Sequence, residues 1–312
     1  MTEKMKKEML SILTDLYKME ARDLCTFDVR DYEFRRIAEA HRGECKELAE
    51  DWEAYEASEN IIVKTKIGKK WAARKKLDFD YDASLFAAYV YWTAMFFDEE
   101  SCPIRHSHGY EYVLKSGGVR YRGDTMNSWQ RTLNRFGKAE PCPVYITEFM
   151  NVVYTIGNMI PVPQTPSFGN TRNRLVMDYW DLTLLAIYRH YKLKDKDNSD
   201  GWKNLFEHKT IRRWLETFET WDNFVERNFL QDFVNQTEGG SYGQPKELWK
   251  GHFAGNAMPT EPQQFEQFFT NASSWILARG NRIAISIKKK LEGKSDPEAL
   301  ESLARQMIGA PV

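Results

Sequence analysis

Apolar positions recur at helical spacing along most of this chain. Between Glu3 and Met19 they fall at Met5, Met9, Leu10, Leu13, Leu16 and Tyr17, which predicts an amphipathic helix. A second amphipathic segment follows Asp31, through Tyr32, Phe34, Ile37 and Ala38 and on to Leu48, Trp52 and Tyr55, with dense charge between the apolar positions. The run from Leu85 to Phe96 is apolar on nearly every side, so it predicts a helix at the centre of the core, with Asp82 or Ser84 placed to cap it. Helical spacing returns at Trp129–Phe136, Val144–Tyr154, Leu175–Tyr191 and Phe265–Lys290.

Two places break the helical pattern. Tyr110–Leu114, the Gly117–Gly118 pair and Val119–Tyr121 alternate around a dipeptide that tolerates positive φ, which predicts a small β-hairpin near residues 110–122. Pro161, Pro163 and Pro166 then punctuate a stretch leading to Gly169 that is expected to be loop. The fold class expected is α+β, mainly α-helical. The polar segment Lys192–Asp200 offers a boundary between a helical domain over residues 1–195 and a C-terminal helical subdomain over 196–312, unless the two form one domain.

Composition narrows the class. Apolar residues make up 42% of the chain and aromatics 14%, too much apolar surface for a disordered chain. Lys plus Arg (44) nearly balance Asp plus Glu (45), so any attraction to a polyanion must be local. The N-terminus is charged and the longest apolar run is shorter than the roughly 20 residues a bilayer requires, so a cytoplasmic protein with no membrane partner is expected. Cys25, Cys45, Cys102 and Cys142 form no CxxC pair, which favours buried thiols over a zinc site or disulfides.

Two stretches place small polar residues where patterning would otherwise put core: Arg122-Gly123-Asp124-Thr125-Met126-Asn127-Ser128, and Thr155-Ile156-Gly157-Asn158 leading to Pro161 and Pro163. With Asp178-Tyr179-Trp180-Asp181-Leu182, these strings make the chain resemble a family of uncharacterised bacterial proteins over about Val119 to Tyr191. The resemblance carries no established activity. Read chemically, Asp124, Asn127 and Asn158 are the candidate catalytic groups. Arg122, Thr125, Ser128, Asn170, Arg172 and Arg174 are the candidate ligand-binding groups, a mixture suited to phosphate, sugar or a hydrated divalent metal. Arg172 and Arg174 would flank the positive end of the Leu175 helix. The structural alternative makes Asp124 an N-cap for a helix over Met126–Phe136 and Arg172 and Arg174 partners of Asp178 and Asp181.

The Gly157–Asn158 turn is also distantly similar to the glycine–asparagine turn of HNH-type nucleases. That similarity implies His106 or His108 as base and Asn170 or Asn173 as a later ligand, but His108 lies 50 positions upstream of Asn158 and Tyr154 stands close before the turn. Arg36 and His41 have the R-x4-H spacing of HEPN-type ribonucleases. Lys64, Lys66, Lys69, Lys70, Arg74, Lys75 and Lys76 gather around Trp71 as a candidate nucleic-acid-binding patch, or as a solvated face balanced by the acids of Glu50–Glu59. Two functions are therefore expected: nucleic-acid binding or phosphodiester cleavage, or a non-catalytic protein-interaction module whose polar strings fix turns and caps around an aromatic core.

Overall fold

The apolar run that begins at Leu85 is helical, and its side chains from Phe86 to Met95 are buried. Phe86, Val90, Tyr91 and Trp92 have no accessible surface, and at roughly 1.5–3 kcal/mol per large side chain this segment supplies much of the burial that offsets chain entropy. The computed structural model describes residues 3–29, 32, 85–96, 103–106, 109–113, 120–127, 143–255 and 258–292. The cationic patch at 64–76, the segments expected to be helical over 33–55 and 129–136, Ser128, His41, His108 and the Gly117–Gly118 turn lie outside the described residues.

The elements in order are α1 (Glu3–Lys18), α2 (Ala21–Thr26), α3 (Leu85–Tyr91, continuing as a π-helical turn Trp92–Phe96), β1 (Pro103–His106), β2 (Gly109–Val113), β3 (Arg120–Thr125) and α4 (Val144–Val152). A 3-10 turn (Ile156–Asn158) leads to β4 (Met159–Pro163), α5 (Pro166–Val176), α6 (Trp180–Leu193), α7 (Asp200–Glu207), α8 (Lys209–Glu216) and α9 (Trp221–Arg227). A second 3-10 turn (Gln231–Phe233), β5 (Val234–Gln236), β6 (Tyr242–Pro245) and the long α10 (Pro262–Leu291) complete the described chain, which is a mainly helical α+β protein. No helix among the described residues is long and apolar enough to cross a membrane.

The expected hairpin is the β2–β3 pair, with Tyr112 opposite Tyr121 and Val113 opposite Arg120, and it belongs to a four-stranded antiparallel sheet ordered β1-β2-β3-β4. The expectation of loop over Pro161–Gly169 is corrected. Pro161 and Pro163 sit on β4, opposite Gly123 and Tyr121; being two apart on an edge strand, they both lack an N–H on the side that needs no ladder bond. Pro166 is at the start of α5, where a missing N–H costs nothing, and Thr165 caps the helix by accepting from the Ser167 N–H at 3.3 Å.

The helix expected over Leu175–Tyr191 is two helices. Met177 and Asp178 take left-handed conformations (φ 51° and 66°), ending α5 and re-aiming the chain into α6. The helix α10 packs on α2, α4 and the 3-10 turn at Ile156–Asn158, so the last helix shares a core with elements from the first half of the chain. Gly157 makes that approach close: a Cβ there would lie 1.9 Å from the Ile276 carbonyl oxygen, and the facing Gly280 would put one 3.6 Å from the Gly157 Cα.

Candidate functional site

The polar strings converge through β3, β4 and α5. In antiparallel register, Asp124 on β3 stands opposite Ile160 and Thr125 opposite Met159, which brings the Arg122–Asn127 string alongside the turn that carries Asn158. Asp124 is therefore a strand residue, and the expected N-cap role is replaced because pairing with β4 extends β3 through Thr125.

Asn158 is fully buried and its amide is used on every side. Its Oδ1 accepts from the Asn127 backbone N–H at 2.9 Å and from Asn127 Nδ2 at 3.3 Å, while its Nδ2 donates to the carbonyls of Asn127 (3.1 Å) and Val153 (2.9 Å). Two donors facing one end of the amide and two carbonyls facing the other fix which atom is oxygen and which is nitrogen. Its main-chain carbonyl accepts from the Met126 N–H at 2.7 Å, tying the end of β3 to the turn.

The other face of that turn is closed by Arg279 of α10. This buried guanidinium donates from Nε to the Asn228 carbonyl (2.9 Å) and from one terminal nitrogen to the Gly157 carbonyl (2.7 Å), the Met159 carbonyl and the Tyr91 hydroxyl (3.0 Å). The Tyr91 hydroxyl in turn is directed at the Ile156 and Met159 carbonyls. Burial raises the Tyr91 hydroxyl above its ordinary pKa, with the Arg279 charge opposing, so it remains a neutral donor.

Arg172 lies in the C-terminal half of α5, one turn before Val176, which corrects its expected place at a helix N-terminus. Its side chain is buried between rings, 4.4 Å from the Trp180 centroid and 5.6 Å from Phe168, and its donors go to Thr183 Oγ1 (3.2 Å), the Asp178 carbonyl (2.9 Å) and the Asp124 carboxylate. The bond to Asp178 helps hold a residue in the left-handed region, where a non-glycine residue is strained by about 1–3 kcal/mol. The Asp124 side chain keeps 19% of its surface exposed. Burial raises its carboxyl pKa, and the Arg172 and Arg122 guanidinium groups oppose that rise.

The remaining predicted residues divide by exposure. Arg122, Asn170 and Arg174 are exposed and Thr125 is half-buried. Arg122 reaches along β3 toward α5, its Nη2 lying 3.6 Å from where a Gly169 Cβ would sit. Asn170 and Arg174, four apart on α5, share that helix's outer face. Among the described residues no group of three or more His, Cys, Asp and Glu side chains is arranged to hold a metal ion. The chemistry left to this region is that of two exposed guanidinium groups and one partly shielded carboxylate.

A second buried polar group is built on Asp181, which was expected as a partner of Arg172 or Arg174 and bonds elsewhere. Asp181, in the first turn of α6, accepts from His252 Nδ1 at 2.6 Å and from the Leu248 N–H at 3.0 Å. His252 stacks on Trp249 at 3.5 Å and meets Tyr179 edge-on, and its Nε2 is buried with no partner among the described residues. The signal available in the sequence was Asp181 itself, an acid in the first turn of an otherwise apolar helix; its partner lies 71 positions away and no local pattern points to it. Arg279 was missed for the same reason, its charge being met by carbonyls of the Gly157–Met159 turn and of Asn228 and by the Tyr91 hydroxyl, from three distant segments.

A family model described as a family of unknown function (DUF6994) matches residues 99–283. The matched segment holds Asp124, Asn127, Asn158, Arg172, Asp181, His252 and Arg279. No curated protein and no solved structure matches the chain.

Proposed function

Since this chain belongs to DUF6994, a family whose description assigns no function, we propose from its own side chains that it is a non-catalytic interaction protein in which the polar strings are structural. The observation that carries the reading is the complete occupation of the Asn158 amide by Asn127 and Val153. An amide committed to four internal hydrogen bonds and buried from solvent has nothing to offer a substrate or a metal. Arg172 is spent similarly on Asp124, Thr183 and Asp178. As proposed, the protein works in a bacterial cytoplasm and meets a protein partner.

The second reading is nucleic-acid contact, and the exposed face formed by Arg122, Asn170 and Arg174 favours it. Its cleavage form depends on Asp124, the one candidate catalytic carboxylate, with a divalent metal supplied from solution. Purified full-length chain incubated with RNA and duplex DNA, with Mg2+ or Mn2+, separates the readings. The proposed function predicts no cleavage above a protein-free blank. Cleavage that disappears in a folded Asp124→Asn variant would overturn it.

A further inference from the structure

We propose that the cleft between α6 and the β5–β6 hairpin with its following segment binds a small phosphorylated molecule bearing a flat ring, of nucleoside monophosphate size. The cleft is a cavity of about 540 Å³, within the roughly 300–1,000 Å³ typical of small-ligand sites. Arg189 enters it from α6, and Lys246 and Lys250 from the segment after β6, with Leu185, Pro245 and Phe253 as the apolar part of the wall.

The charge arrangement identifies the ligand class. Three cations line one cleft and none is ion-paired among the described residues. Arg189 Nη1 donates to the Asp197 carbonyl at 3.2 Å and Lys246 Nζ to the Asp232 carbonyl at 2.9 Å, so both meet neutral acceptors and keep further N–H groups available. The single lining carboxylate, Glu247, is folded back on its own turn, accepting from the Gly251 N–H at 3.1 Å and the Phe253 N–H at 2.8 Å. Cations gathered in a cleft repel one another, and a bound anion relieves that repulsion. Some surface cations elsewhere do have acidic partners, as in Lys192 with Asp222 and Arg282 with Asp232.

The walls are also held in advance. Asp181, on α6 one turn before Leu185 and two before Arg189, anchors the opposite wall by accepting from Leu248 and His252. The backbone of Lys250 donates to Gln267 Oε1 at 3.0 Å, and Asn271 Nδ2 donates to the Leu248 carbonyl at 2.8 Å. Trp221 Nε1 fixes β6 through the Gly243 carbonyl at 2.9 Å. The buried Asp181–His252 pair thereby acquires a purpose: it fastens the segment carrying Glu247, Lys250 and Phe253 to the helix carrying Arg189. A site whose walls are already ordered loses less entropy on binding. A phosphate would lie among Arg189, Lys246 and Lys250, and a ring against Phe253 and Pro245. This inference is independent of the role given to the polar strings.

The test is calorimetric titration of the full chain with AMP, UMP, adenosine and inorganic phosphate, beside a single-stranded DNA oligonucleotide. AMP or UMP is expected to bind, inorganic phosphate to compete with it, and adenosine to bind at least tenfold more weakly. Arg189→Gln and Lys250→Gln, at side chains outside the core, should each raise the Kd at least tenfold with an unchanged melting temperature. Phe253→Ala should weaken AMP more than inorganic phosphate. The proposal is overturned if wild type binds none of AMP, UMP and inorganic phosphate, if Arg189→Gln and Lys250→Gln bind as wild type does, or if the oligonucleotide binds more tightly than either nucleotide through the same residues.

Discussion

Asn158 grips the main chain of Asn127 on both sides of its Cα, accepting from its N–H at 2.9 Å and donating to its carbonyl at 3.1 Å. The two residues are 31 positions apart, so the pair closes the loop between β3 and β4 with side-chain bonds that imitate a sheet ladder. The end of β3 cannot move without leaving buried donors and acceptors unmet, a cost of about 1–3 kcal/mol for each group.

Gly157 and Gly239 form a matched pair for a steric prediction. A methyl group at Gly157 would collide with the α10 backbone at Ile276, whereas at Gly239 nothing lies within 4 Å. Gly157→Ala should cost about 3 kcal/mol or more, seen as a lower melting temperature or loss of soluble protein. Gly239→Ala should stay within about 0.5 kcal/mol of wild type.

For Asp124 and Arg172 the prediction is non-additivity. Removing the carboxylate in Asp124→Ala leaves the nearly inaccessible Arg172 guanidinium without its counter-charge, a loss of about 3–5 kcal/mol for a buried pair, lessened here by the exposure of Asp124. The double variant Asp124→Ala/Arg172→Met should lose less than the sum of the two single variants in urea unfolding.

Alkaline pH should unfold the protein through its buried tyrosines. Burial raises the hydroxyl pKa of Tyr91, and also that of Tyr191, which donates to the Leu215 carbonyl at 2.5 Å. In the unfolded chain these groups ionise at about pH 10, the ordinary value for a tyrosine, so above it the unfolded state holds fewer protons and stability falls as pH rises. Absorbance at 295 nm should show a subset of tyrosines ionising only as the far-UV helical signal is lost. A smooth titration completed before unfolding would contradict the burial assigned to them.

Much of the fold was legible from periodicity because its cause is local. The almost wholly apolar segment after Leu85 is buried, and the alternation around residues 110–121 pairs as a hairpin. Pro166 was misread because a proline that opens a helix and one that breaks it look alike until Thr165 is seen to cap the turn. The helix boundary at Met177 was hidden because left-handed residues there are not glycines. The strings themselves marked the polar site, but their atoms are spent on Val153, Thr183 and Asn127, and no spacing rule shows which partner a buried amide will find. Asp181–His252 and Arg279 depend on contacts across 71 and more than 100 positions, beyond any local pattern.

The claim that the strings are structural is tested most directly by equilibrium urea unfolding of Asn158→Ala. The variant orphans the Asn127 N–H and the Asn127 and Val153 carbonyls, and the account predicts a loss of about 3 kcal/mol, from roughly 1–3 kcal/mol for each unmet buried group tempered by relaxation. An Asn158→Ala protein that unfolds at the wild-type urea concentration with the wild-type slope would contradict it.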